Sequence, residues 1–403
     1  MQPYFQTNNT NITQFDSIRF VIAIFVIIVH HQFTNINIPF AFAYMAMHIF
    51  FIMSAFLISR GLLLSKSKAQ TFSLFFKDFY KKRILRIFPV YFAYLFFLIG
   101  ISIALYLLKF GDILKIITEL KKFGWMLFTF TYNYREFLLH IKNMPLIESF
   151  FFSHLWSLSM EEQFYIVIPF VIYFMNRKQL VWLSVIAIII TPIFRVWYYE
   201  NVLVNEEDYI LRGLIYYRAT LLQFDCFFYG ILLATYNFKD FIKTYKIIFY
   251  LLLIVYLFVI IYNGFIISKE MNLSFFSSII RYDFMILNKQ YLYHDVLINW
   301  LIFFMFLNCF YNPNFLSFLN FKFILNAGNK FTYSSYVYQY LFILPSVGIL
   351  YPLLTKVLGL TEVLAQLIAL IVSSVGIYYL SSFSYKKMEI KFLNLLKKEK
   401  HAK

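Results

Sequence analysis

HLWSLSMEEQFYIVIP, residues 154–169, runs a polar, indole-bearing segment straight into a continuous apolar helix, with two adjacent carboxylates, Glu161 and Glu162, at the junction. A charge at the mouth of a membrane span is costly unless it faces water, a partner or a substrate. Neighbours at i and i+1 do not share a helical face, so one glutamate can point into a helix bundle while the other reaches the interface. A plainer reading is an interfacial belt, in which Trp156, Phe164 and Tyr165 anchor the helix and the glutamates sit among headgroups. The rest of the chain has to decide between the two.

Of 403 residues, 61% are hydrophobic, 23% aromatic and only 14% charged, with mean hydropathy +0.69. A soluble chain is nearer half apolar and a quarter charged. The fold class is therefore all-α: a polytopic integral membrane protein, whose long continuous apolar runs exclude the ten-residue alternation of a membrane β-barrel. Cys226 and Cys309 both fall inside apolar runs and read as small buried hydrophobes, with no disulfide framework and no metal site expected. The first 15 residues lack Lys and Arg, and no small-residue cleavage site follows the first apolar run, so that run is expected to stay as a span.

The hydrophobic runs give about ten spans, roughly 16–34, 40–63, 88–110, 160–175, 179–198, 216–236, 247–267, 296–312, 333–353 and 363–383. With the N-terminus in the cytoplasm, the inside segments hold 21 Lys and Arg against 4 Asp and Glu, and the outside segments 10 against 12. The reversed topology violates the positive-inside rule, so both termini are expected inside. The net charge of +16 is thereby assigned to membrane lipids, and no nucleic acid partner is expected. Residues 1–384 read as one membrane domain, and 385–403 as a basic amphipathic tail lying on anionic lipid. No internal repeat and no recurring broken helix is visible, which weighs against a secondary transporter.

The informative residues are those that hydrocarbon rejects. Asp16 and Arg19 lie one turn apart at the start of span one, and His30 and His31 close it. Arg19 and His30 are about 16 Å apart along the helix, on nearly one face. Asp16 and Arg19 read equally well as a local ion pair. A histidine is the usual proton acceptor for a hydroxyl near neutral pH, and the assigned topology puts His30 at the same membrane face as Glu161. A carboxylate bonded to one imidazole nitrogen would raise the basicity of the other. In FFKDFYKKRILRIFPVY (75–91) the lysines read as topology signals, whereas Arg83 and Arg86 share a helical face and suit bidentate capture of phosphate. Asp225, a lone carboxylate in span six, needs a partner, which Arg195 or Arg218 could supply. In GNKFTYSSYVYQ (328–339), interhelical hydrogen bonding and substrate contact are equally open readings.

These residues, in order, resemble the membrane-bound acyltransferase 3 family over most of the chain. Asp16-Ser17-Ile18-Arg19 followed by His30 matches the family's first span, and Phe50 to Phe56 its second, with Ala55 replacing a glycine. Arg83, Arg86, Ile87, Pro89 and Tyr91 match its Arg-x-x-Arg element and the run after it. Trp156, Ser157, Leu158, Glu161, Gln163, Phe164 and Tyr165 match its longest and most specific signature. Two positions depart: Gln223 stands where an arginine often precedes the aspartate of span six, and Gln339 where a histidine often ends the Ser-Tyr-x-x-Tyr element.

The resemblance implies O-acylation, usually O-acetylation, of an exported or surface glycan or its lipid-linked form, by an enzyme of the bacterial cytoplasmic membrane. No tightly bound cofactor is implied; acetyl-CoA is the expected donor substrate. Arg83 and Arg86 would hold its phosphates. His30, oriented by Glu161 or Asp16, would deprotonate the sugar hydroxyl or carry the acyl group, and Arg19 would stabilise the oxyanion or line the passage. Trp156, Ser157, Gln163, Tyr165 and Asp225 are the expected substrate-binding residues. The alternative from another class is a transporter or flippase for a lipid-linked or small polar substrate, with His30 as proton relay.

Overall fold

The computed structural model describes residues 12–31, 40–68, 71–108, 113–144, 150–239, 242–270 and 291–401, with residues 272, 274, 275 and 278 between the last two stretches. Among the described residues the chain is helical throughout its regular structure, and no strand occurs. Eight helices among the described residues are long and apolar enough to cross a membrane. They coincide with eight of the expected runs. The helices of the first half are α1 (Thr13–His30), α2 (Phe40–Lys66), α3 (Phe72–Leu107), α4 (Ile113–Phe128), α5 (Arg135–Ile141), α6 (Trp156–Phe174) and α7 (Arg177–Tyr198). The second half holds α8 (Tyr209–Arg218), α9 (Phe224–Thr235), α10 (Ile242–Glu270), α11 (Tyr291–Tyr311), α12 (Lys322–Lys330), α13 (Thr332–Tyr338), α14 (Tyr340–Pro345), α15 (Glu362–Ser384) and α16 (Ile390–His401).

Local chemistry sets several boundaries. The Thr71 side chain accepts from Leu74 N at the start of α3, and Asn176 and Gln179 form a reciprocal capping box at the start of α7. α3 has 36 residues, about 54 Å of helix, well beyond a hydrocarbon core of about 30 Å. Its first turns therefore project past the bilayer, carrying Lys81, Lys82, Arg83 and Arg86. Phe96, Phe97, Ile189, Ile193, Ile254 and Phe258 are exposed, as side chains that meet lipid should be.

The two remaining expected spans differ from the eight. α6 carries Glu161 and Glu162 in its first turns. α9 is only 12 residues long, and every one after Phe224 is buried, so it is a core helix rather than a lipid-facing one. It packs against α2, α7 and α11. The approach to α2 depends on Gly230: a Cβ there would sit 2.4 Å from Ile52 O and 2.6 Å from Ala55 Cβ.

This core also holds charge. Asp225 pairs with Arg195, not Arg218, and accepts from Asn299 Nδ2 at 3.1 Å. Arg195 Nε lies 3.6 Å from Asp295 Oδ2, which accepts from Tyr216 OH at 2.9 Å. Cys226 is not a simple hydrophobe, since its sulfur lies 3.2 Å from His48 Nδ1 within the same cluster.

The expected boundary at 384–385 falls within continuous helix, because α15 passes through a π-helical turn, Tyr385–Glu389, into α16. The turn and α16 pack against α3. Residues 402–403 lie outside the described residues.

Candidate active site

At the end of the bundle that carries the basic start of α3, a cavity of about 350 Å³ opens between α1, α2, α3, α6, α13 and the C-terminal helix. That volume lies in the range of small-molecule sites. Arg19, Arg83 and Arg86 reach it from two helices, and Glu161, Tyr165 and Ser157 from α6. Arg19 Nη1 bonds Asp16 Oδ1 at 2.9 Å, which fixes its guanidinium. Arg83 lies over the rings of Phe79 and Tyr165, 5.8 and 5.5 Å from their centroids. Its Nε is buried and finds no hydrogen-bond acceptor among the described residues. A buried guanidinium donor left open is costly, and an anionic ligand would satisfy it. Arg86 is exposed at the mouth.

Glu161 faces this cavity, at the arginine end of the bundle rather than at the His30 level where the sequence reading placed it. Its carboxylate accepts from both Ser54 Oγ and Tyr165 OH, and those two hydroxyls lie 2.8 Å apart. Both oxygen donors come from motif positions, so the carboxylate is held by α2 and by its own helix.

His30 is placed differently from the sequence expectation. Neither Glu161 nor Asp16 orients it: both are bonded at the arginine end, and Asp16 is 14 positions, about 21 Å, from His30 along α1. The partner is Gln339, whose Oε1 lies 2.9 Å from His30 Nδ1. Gln339 Nε2 donates to Tyr336 O at 2.9 Å, which fixes the amide so that Oε1 is the acceptor. His30 Nδ1 therefore carries the proton and Nε2 is left as the base. The residue at which this chain departs from the family histidine is thus the one that sets the His30 tautomer. His31 turns away, bonding Ile27 O at 2.8 Å and Ser373 Oγ at 2.6 Å.

Tyr336 connects the two levels. Its OH bonds Ser157 Oγ at 2.5 Å and His154 O at 2.6 Å, and both Tyr336 and Ser157 line the cavity. Tyr340 lies between His30 and His154, with ring centroids 5.2 and 4.9 Å away.

Of the expected residues, Arg19, Arg83, Arg86, Ser157, Glu161 and Tyr165 meet in one cavity, with Asp16 behind Arg19. Gln163 does not join them. Its amide bonds Phe130 O, Asn133 Oδ1 and Thr220 Oγ1 at 2.8, 2.9 and 2.6 Å, tying α6 to the turns that precede α5 and α9. Trp156 is buried against Tyr217 and beneath Arg218. Asp225 lies in the core cluster around Arg195.

Sequence reasoning assigned no functional role to Ser54, Lys330 or Glu389, all of which line the cavity. It also missed a cluster at α4 and α5. There Arg135 Nε lies 3.0 Å from Glu119 Oε1, and Glu136 Oε1 holds Arg135 Nη1 at 2.8 Å and Arg218 Nη1 at 2.6 Å. Burial pushes the Glu119 carboxyl up to about 7, outweighing the pull of Arg135. Alternating charge in a nominally solvated segment was the available signal.

Comparison with known proteins adds the following. A family model describing an acyltransferase domain, acyltransferase 3, matches residues 12–382. An uncharacterized protein of Haemophilus influenzae is 27% identical over 176 residues, 42% of this chain and 68% of that protein. No solved structure matches.

Proposed function

The chain belongs to the acyltransferase 3 family, and we propose that it is an O-acetyltransferase moving acetyl from cytoplasmic acetyl-CoA to a hydroxyl of an exported or surface glycan. The observation that carries this is the division of α1. Its Arg19 end opens into a cavity shared with Arg83 and Arg86, while its other end presents His30 with Nε2 free. The basic end faces the cytoplasm by the positive-inside rule, in what we take to be a bacterial inner membrane. The donor's phosphates sit on Arg83 and Arg86, with the open Arg83 Nε taking one of their oxygens.

His30 Nε2 takes the proton of the acceptor hydroxyl as the oxygen attacks the thioester carbon. The carbon–sulfur bond breaks, an ester bond forms, and the proton ends on the released thiol. A transient acyl-histidine uses the same nitrogen and the same tautomer. Arg19, fixed by Asp16 about 16 Å from His30 along α1, lines the donor's passage at the arginine end of the cavity as a preorganised cation. No tightly bound cofactor enters this scheme; acetyl-CoA and the glycan are substrates.

The donor half is tested by titrating coenzyme A onto the purified chain and its Arg83→Gln/Arg86→Gln variant. Loss of two charge-assisted contacts should weaken binding by on the order of 100-fold or more. Equal affinity would return both arginines to topology signalling.

A further inference from the structure

Glu389 lines the arginine cavity, yet the scheme above gives it no task. It comes from the segment whose sequence reads as a lipid-bound tail. Its side chain is 6% exposed and stands at the end of the π-helical turn that joins α15 to α16. Single π-helical turns are frequent at functional sites. Glu389 Oε1 is buried with no hydrogen-bond partner among the described residues, and Arg86 is its charged neighbour.

The contrast with Glu161 is informative. Both Ser54 and Tyr165 donate to Glu161; Glu389 has the Ser334 and Ser384 hydroxyls beside it, but its buried Oε1 is left without a bond in the wall of a cavity that also holds Arg19, Arg83 and Arg86. A buried carboxylate with an open lone pair is normally compensated by a protein partner. Here the open acceptor and the open donor, Arg83 Nε, line one cavity. A phosphate brought to the arginines must share the site with this carboxylate, and like charges repel strongly in a partly desolvated cavity.

We propose that Glu389 sets how tightly the cavity holds anions, its carboxylate competing with phosphate for the arginines so that a phosphorylated carrier is bound only loosely enough to leave. The proposal rests on the donor reading above and extends it to the C-terminal helix. Turnover gains from this wherever release of the spent carrier limits the rate.

The test uses the full-length chain in lipid nanodiscs, titrated with coenzyme A and separately with inorganic pyrophosphate. Glu389→Gln keeps the shape and removes the charge, and Glu389→Ser removes the charge with a smaller side chain. Both variants should bind both probes about tenfold more tightly than the parent, with the gain shrinking as salt is raised. A residue that merely supports the wall would, when changed, weaken binding rather than strengthen it. Unchanged or weaker pyrophosphate binding in both variants overturns the proposal, and coenzyme A binding to the parent in that case leaves the donor reading standing. Tighter pyrophosphate with no coenzyme A bound by any variant keeps the anion competition and removes coenzyme A as donor. No binding of either probe to the parent overturns both.

Discussion

Gln339 does for His30 what a carboxylate does in a hydrolase triad, but without charge. Its carbonyl accepts from Nδ1 and its amino group is tied to Tyr336 O, so the ring has one tautomer and one orientation. Nothing in this arrangement raises the basicity of Nε2 as an anion would, and the gain is positional. Gln339→Leu keeps volume and removes both bonds. We expect kcat to fall on the order of 100-fold, the lower range for a positioned base, with coenzyme A affinity unchanged. A leucine variant with parental kcat would contradict the assignment. The sequence shows that position 339 departs from the family pattern. It does not show that 30 and 339 touch, because that contact joins residues 309 positions apart.

At the scale of elements, the cavity depends on how closely α12 rests on the start of α1. A Cβ on Gly328 would lie 1.8 Å from the carbonyl oxygen of Asp16, a backbone atom that cannot swing aside. The same short segment, Gly328 to Lys330, forms part of the cavity wall. Gly328→Ala should therefore cost about 1–3 kcal/mol of stability and weaken anion binding together, read as a lower Tm and a higher Kd for pyrophosphate. A variant that keeps both would show that the approach is not required. Spans such as α2, α3 and α10 are legible in the sequence because continuous apolar runs of that length have few alternatives. The C-terminal helix is not: Glu389 sits among lysines, and a lysine-rich amphipathic segment reads the same on lipid as against α3.

For the whole molecule, two of the polar systems in the bundle have contrasting tasks. The cavity is open to ligand. The Arg195–Asp225–Asp295 system is closed among α7, α9 and α11, with Arg195 and Asp295 at 0% and Asp225 at 1% exposure. The sequence identified Asp225 as needing a partner and offered Arg195, but could not tell substrate contact from internal pairing, since both require a buried carboxylate. Asp225→Ala leaves Arg195 without its closest partner and should cost about 3–5 kcal/mol, seen as a sharp loss of folded protein in detergent. If the variant instead kept its Tm and lost only acceptor turnover, Asp225 would be a substrate residue after all. The central claim, that this chain acylates an exported glycan using His30, is met most directly by mass spectrometry of surface glycans from cells with and without it. The account predicts an acetyl-sized mass difference that returns with the parental chain and not with a stably inserted His30→Ala variant. An acetyl difference fully restored by His30→Ala would remove the base, and no acyl difference in any glycan fraction, with a lipid-linked intermediate accumulating, would contradict the claim as a whole.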